Sequence, residues 1–233
     1  MEDRSLARYF ADLSETLLAV RGVTETMKVL VDAAADVVEG VAHASISHMR
    51  GRALVSASSN DDVGHILDGI QTGADEGPCL DAIRTDQITV ARDLRADERW
   101  PHYGPAAVDA TGVLSSLAHP LRDGRRPFGA LNLFSNEVDA FHGDVEQEAL
   151  IAILAAHCAP ALSVALHRED MEAALRTRDI IGQAKGLLMA RSDVDEDTAF
   201  KMLISASQRT NVKLAEVARQ LVEHARPRTA SQT

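Results

Sequence analysis

The chain has 233 residues, 45% hydrophobic but only 3% aromatic, so its length allows one large or two modest domains with mainly aliphatic cores. Its 24 Lys and Arg stand against 35 Asp and Glu, a formal net charge of −11, which argues against a non-specific nucleic-acid binder. The charge is uneven: residues 171–233 hold ten basic and eight acidic side chains, a net of +2, while residues 1–170 carry a net of −13. Such asymmetry is itself a domain signal. The N-terminus MEDRSLARYF is charged and has no apolar segment, so no secretory leader is expected. No apolar run is read as approaching the ~20 residues of a bilayer span, so no membrane partner is expected. Cys79 and Cys158 lie far apart and read as reduced thiols of a cytoplasmic protein.

In chain order, Leu6, Phe10, Leu13, Leu17 and Val20 recur at three- and four-residue steps and predict a helix. Gly22 breaks the pattern and Thr24 is expected to cap a second helix, with Met27, Leu30, Val31, Ala34 and Val38 on one face. From Ala42 the period changes to two. AHASISHMR and ALVSASS predict strands joined by a tight turn at Arg50-Gly51-Arg52. A helical patch, DVGHILDGIQTG, leads into a long stretch punctuated by Gly73, Gly77, Pro78, Pro101 and Pro105, which reads as loop with short helical pieces. VLSSLAHPLR and RPFGALNLFS then predict a hairpin turning at Asp123-Gly124, and a long helix is expected from Asp144. This order predicts an α+β domain, an antiparallel sheet with helices packed to one side, carrying a long loop insertion of the kind that usually binds or covers something.

The run GPCLDAIRT, then DLRADERWPHYGPAA, VLSSLAHPL and FGALNLFS, resembles a GAF domain of the kind found in actinobacterial regulators, over about Glu15 to Val164. The resemblance implies a small-molecule sensor with a pocket between sheet and loops, and names no ligand or cofactor. Candidate pocket residues are Cys79, Trp100, His102, Tyr103 and His119. Cys79 follows Gly77-Pro78, where a helix N-terminus would lower its pKa and make it reactive; the competing reading is a small buried apolar residue. Trp100, His102 and Tyr103 read either as an aromatic lid or as a plug filling the space beneath the loop. His102 and His119 are candidates to approach a haem, or are structural. The nine histidines form no HxxxH or HxH pair, and no nucleophile triad, phosphate loop or carboxylate pair stands out, so neither a metal site nor an enzyme is expected.

Leu150, Leu154, His157, Ala161, Val164, Met171 and Leu175 form an imperfect a/d seam, expected either to pair with a second copy of the chain or to pack on its own domain. Pro160 is expected to bend or divide this helix near Ala156 to Pro160. Beyond it, Ile180, Ile181, Ala184, Leu187 and Leu188 form an apolar stripe, with Gly182 and Gly186 suggesting close approach of another backbone and Lys185 turned away from the core. Asp195 or Asp193 is expected to cap a second helix with Ala199, Phe200, Leu203 and Ala206 facing inward. Thr210-Asn211 end it, and Leu214, Val217, Ala218 and Leu221 form the face of a third.

Ala184-Lys185-Gly186, Leu188-Met189, Asp195 to Asp197, Ala199-Phe200, Ser205 to Ser207, Asn211-Val212-Lys213-Leu214 and Val217-Ala218 closely resemble the ANTAR domain, over about Arg178 to Leu221. The resemblance implies RNA binding: recognition of tandem stem-loops in nascent transcripts and antitermination of transcription by a dimer. Lys185, Arg191, Arg209 and Lys213 are the candidate phosphate contacts, and Gln183 and Asn211 offer amides to base edges beside Gly186, against the plainer reading of a solvated helix face. Where the family usually has Arg after Leu203, this chain has Ile204, which shifts RNA contact toward Lys201 and Arg209 or makes the unit a protein-binding or dimerisation module. The expected organisation is a helical extension over 1–14, a sensor over 15–165, a helical joint and RNA-binding domain over 166–225, and a disordered tail over 226–233. Together these parts predict a signal-responsive transcription regulator, with a haem or redox sensor as an alternative for the N-terminal half.

Overall fold

The computed structural model describes residues 3–50, 53–124, 126–141 and 145–225. The expected turn at Gly51-Arg52, the start of the long helix at Asp144 and the tail over 226–233 lie outside the described residues. The chain forms two compact units, residues 1–167 and 168–233.

The first unit opens with α1 (Asp3–Ala19) and α2 (Val23–Val37). Gly22, at φ 117°, caps α2 in place of the expected Thr24, which lies inside the helix; the left-handed backbone there suits glycine. β1 (His43–Arg50) and β2 (Ala53–Ser59) follow, then α3 (Asp62–Ala74), α4 (Pro78–Thr85), a short β3 (Thr89–Ala91), α5 (Tyr103–Thr111), β4 (Ser115–Asp123) and β5 (Arg126–Ser135). The strands make one antiparallel sheet in the order β2-β1-β5-β4-β3. β3 was hidden in the insertion: three residues are too few to show a period.

Helices cover both faces of this sheet, not one. Ala44, Ile46, Leu117, Leu121, Leu131 and Leu133 pack with Met27, Leu30, Val31 and Ala34 of α2 and with Ile151, Leu154, Cys158 and Leu162 of the long helix α6 (Val145–Ser192). Each fully buried leucine, isoleucine, valine or methionine among them contributes about 1.5–3 kcal/mol. Successive strand residues point to opposite faces, so the intervening positions turn toward α3, α4 and α5. There Phe134 packs with Leu67, Leu94, Trp100, Tyr103 and Ala107. That second face is rich in small polar residues, which is why its strands did not advertise a second apolar layer.

α6 begins in the first unit and ends in the second. It is one unbroken α-helix with Pro160 inside it, not two helices joined there. The physical reason is exposure: Pro160 and Ala156 both face solvent, so water can satisfy the carbonyl that the missing N–H leaves open. α6 also corrects the reading that no apolar run is long enough to span a bilayer. It holds an 18-residue window of mean hydropathy 2.1. Ile151, Leu154, Ala155, Cys158, Ala159 and Leu162 from this stretch belong to the core of the first unit. The expected a/d seam divides: Leu154 is buried and Leu150 packs on the core, whereas Val164, Met171 and Leu175 are 61%, 67% and 52% exposed.

The second unit packs the end of α6 with α7 (Glu196–Thr210) and α8 (Leu214–Ala225). Ala184, Leu203, Ala218 and Val222 are its buried centre, ringed by Ile180, Ile181, Leu187, Leu188, Leu214, Val217 and Leu221, much as the periodicity predicts. Asp195 caps α7 by accepting from the Thr198 N–H at 2.7 Å, and Asn211 ends it at φ 54°. Phe200 does not face inward; it is 38% exposed. No atom lies within 4 Å of a Cβ built on Gly182 or Gly186, so neither glycine answers to packing among the described residues.

Candidate functional site

In the first unit the chemistry gathers between the sheet and α3, α4 and α5. Gly64 lets α3 press onto the strands, since a Cβ there would meet Ser59 and Ser45. One turn on, Asp68 reaches Asn132 of β5, whose Nδ2 donates to Asp68 Oδ1 at 3.3 Å and to Ser45 Oγ at 3.2 Å. Gln71 takes the place of a side-chain cap on α4: its Oε1 accepts from the Cys79 N–H at 2.8 Å, because Gly77 before the helix has none to give. Glu76 fastens the start of α5, accepting from the His102 N–H at 2.8 Å and the Tyr103 N–H at 3.1 Å while pairing with His102 Nδ1 at 2.6 Å. These bonds, led by that from the His102 ring, hold the Glu76 carboxyl below its ordinary value. Trp100 Nε1 donates to Asp81 Oδ2 at 2.8 Å, tying the loop before α5 to α4.

The five expected pocket residues are not brought to one site. Cys79, Trp100 and Tyr103 are buried on this side of the sheet, and the rings of Trp100 and Tyr103 meet edge to face at 6.4 Å. Trp100 and Tyr103 pack there with Leu67, Leu94 and Phe134. His102 is 79% exposed and engaged by Glu76. His119 lies on the opposite face of the sheet, alongside Leu117 and Leu121, lining a groove of about 400 Å³ with Ala152, Ala155, Ala156, Ala159 and Pro160. Burial lowers its pKa. With the sheet between them, His102 and His119 do not converge on one haem. Cys79 follows the helix N-terminus as expected, yet its pKa is raised, first by burial and then by Asp68, so the dipole does not make it a reactive thiolate.

Sequence reasoning missed the polar partners of this layer: Ser45, Ser47, Asp68, Gln71, Ser116 and Asn132, all buried. The available signal was parity. Ser45 and Ser47 alternate with Ala44 and Ile46, and Asp68 and Gln71 stand three apart beside Leu67, so all occupy inward positions.

In the second unit, Gln183, Gly186, Arg191, Arg209, Asn211 and Lys213 are exposed. Arg209, Asn211 and Lys213 come together at the turn between α7 and α8; Arg191 stands in the last turn of α6. Lys185 differs from expectation. It folds back onto α7, paired with Glu196 and 5.9 Å from the centre of the Phe200 ring, with its side chain 23% exposed. The Lys185 hydrogen bond lowers the Glu196 pKa. Ile204 is half-buried.

An antiparallel sheet enclosed by helices around a buried polar layer, followed by a small three-helix unit with exposed basic residues, defines an α+β domain followed by a second, helical domain. The GAF domain family model matches residues 20–163 and the ANTAR domain model residues 169–222. The chain belongs to the GAF domain family and carries an ANTAR domain after it. No curated protein matches. Solved structures that are similar include the GAF domain of a phosphoenolpyruvate-protein phosphotransferase from Coxiella burnetii, with 15% identity, TM-score 0.55, and 71% of this chain and 96% of that one covered. The corresponding Acinetobacter domain gives 16%, 0.54, 72% and 97%. Free methionine-R-sulfoxide reductase from Neisseria meningitidis, in complex with its substrate, gives 14%, 0.54, 72% and 95%. At these identities the likeness is one of fold.

Proposed function

We propose that the chain is a signal-responsive transcription regulator, in which a small molecule in the N-terminal unit controls binding of RNA stem-loops by the C-terminal unit, acting by antitermination in the cytoplasm. The observation that carries this reading is the ANTAR match over residues 169–222 directly after a GAF domain. Arg209, Asn211 and Lys213, exposed at one turn, suit phosphates and base edges, with Gln183, Lys185, Gly186 and Arg191 supplied by α6. α6 is common to both units, so a change in the sensor has a covalent route to the output. Exposed Val164, Met171 and Leu175 support a homodimer through that helix. No catalytic role is proposed, and the buried Cys79 and Cys158 suit none that needs an accessible thiolate.

An electrophoretic shift with tandem stem-loop RNA tests this. The wild type should retard the RNA and Lys185→Ala should do so less; equal retardation by both, or none by either with and without added small molecules, would sink the proposal. A second reading, a protein-binding or dimerisation module, is favoured by half-buried Ile204 in place of the usual Arg and by exposed Phe200 and Met202. Salt-independent self-association without salt-dependent RNA binding would select it.

A further inference from the structure

We infer that Glu196 is an intramolecular competitor of RNA: its carboxylate holds on Lys185 the place of a phosphate oxygen, and the strand that displaces it lies in a groove along α6. The inference rests on the reading of the C-terminal unit as RNA-binding and names the residue that limits its affinity.

The groove, of about 710 Å³, lies on α6 within this unit, and its lining includes Arg178, Asp179, Gly182, Gln183 and Lys185. Arg178 and Lys185 stand roughly two turns apart, on the order of 10 Å along the axis. Gly182 lies between them, and a Cβ built there or on Gly186 meets nothing within 4 Å. Each glycine costs the helix about 1 kcal/mol relative to alanine, with no packing in return among the described residues. What the two bare positions provide is close approach beside the lysine stem, which a sugar-phosphate backbone held by Arg and Lys would use.

Charge decides what the groove can do. Arg178 and Asp179 cancel, so Lys185 is the side chain that makes this lining net positive. In the structure that charge is already engaged. Lys185 pairs with Glu196 of α7 and lies 5.9 Å from the centre of the Phe200 ring, at the outer reach of a cation–π contact. Phe200 follows Glu196 by one turn, so the two hold the lysine from one face of α7. The Lys185 side chain is 23% exposed and that of Glu196 68%. The covered partner is thus the cation, and the partner standing in water at the first turn of α7 is the carboxylate, which can swing away without leaving a packed site. A carboxylate and a phosphate offer an ammonium the same kind of charged acceptor, so one replaces the other. The competing reading is that Glu196, like its exposed neighbour Asp197, serves only the helix dipole.

The test is fluorescence anisotropy of the full chain with labelled tandem stem-loop RNA, in a double-mutant cycle of Glu196→Gln and Lys185→Gln. Glu196→Gln should bind about 2–5-fold tighter than the wild type at low salt, the range of an exposed ion pair, and the gain should shrink at high salt. With Lys185→Gln already present the gain should vanish. Asp197→Asn, which removes the same charge one residue on and leaves the pair in place, should change affinity less than about twofold. Arg178→Gln, at an exposed position of the groove, should weaken the wild type and Glu196→Gln alike and reduce the salt slope by about 1. Thermal midpoints of the RNA-free variants establish that each is folded. A wild type that binds with no gain in Glu196→Gln, a gain that persists without Lys185, an equal gain in Asp197→Asn, or indifference to Arg178→Gln would each overturn the inference and leave RNA binding standing. Binding by neither the wild type nor Glu196→Gln would overturn both readings.

Discussion

Replacing Pro160 by alanine should stabilise the first unit, and the size of the effect follows from where Pro160 sits. Proline in a helix interior costs about 3 kcal/mol relative to alanine, through the lost N–H and the ring's clash with the preceding turn. Here α6 runs unbroken through Pro160, so the substitution restores the bond to the Ala156 carbonyl within an already helical segment. That carbonyl lies on the exposed side of the helix, where water already offsets part of the loss. Alanine also frees the unfolded chain, which returns about 0.4–1 kcal/mol to the unfolded state. The net expectation is about 2 kcal/mol, or a rise of about 4–8 °C in the unfolding midpoint for a unit of this size. Differential scanning calorimetry of the full chain, wild type against Pro160→Ala, measures it. An unchanged or lowered midpoint would refute the reasoning, because it would mean that the chain near Ala156 is not regular helix or that the ring's packing outweighs the helix it disturbs.

Three further outcomes are expected. Leu203→Ala removes the largest of the four buried side chains of the second unit and should cost about 2–5 kcal/mol, comparable to the whole stability of so small a core, so hydrogen exchange should show protection lost across α7 and α8 while the sheet keeps its own. Glu76, held below its ordinary value of 4.5 chiefly by His102, contributes stability that is complete above that value and is lost as pH falls through the lower folded value; Glu76→Gln should flatten the acid limb of the stability curve, and an unchanged limb would show that the bonds to α5 do not matter. Cys79 and Cys158 are buried and their thiols shifted upward, Cys158 to about 12, so iodoacetamide should label neither in the native protein at neutral pH and both in denaturant; rapid native labelling of Cys79 would revive it as a reactive group.

Much of the fold was legible because its strongest periods are long. The face of α2, the two strand pairs and the stripe from Ile180 to Leu188 each repeat over enough residues to fix both element and direction. What escaped has physical causes. The second helical layer was missed because the sheet meets it with Ser45, Ser47, Ser116 and Asn132, which look like solvent-facing residues in a strand until α3 covers them. Pro160 does not divide α6, because its helix-breaking cost is a local quantity that a helix buried along its other face can bear. Lys185 was placed on the right helix, yet its tether to Glu196 and Phe200 joins residues in different helices and has no local signature. His119 was grouped with Cys79 by fold resemblance, while simple strand parity, Leu117 and Leu121 on either side, sets it on the other face of the sheet.

RNA binding by the C-terminal unit is put to the test by sequencing RNA crosslinked to this chain in cells. Transcripts carrying paired stem-loops should be enriched, and less so for a variant with Arg209 and Lys213 both changed to alanine. RNA at background level, or an enriched set without stem-loops and indifferent to those two residues, would contradict it.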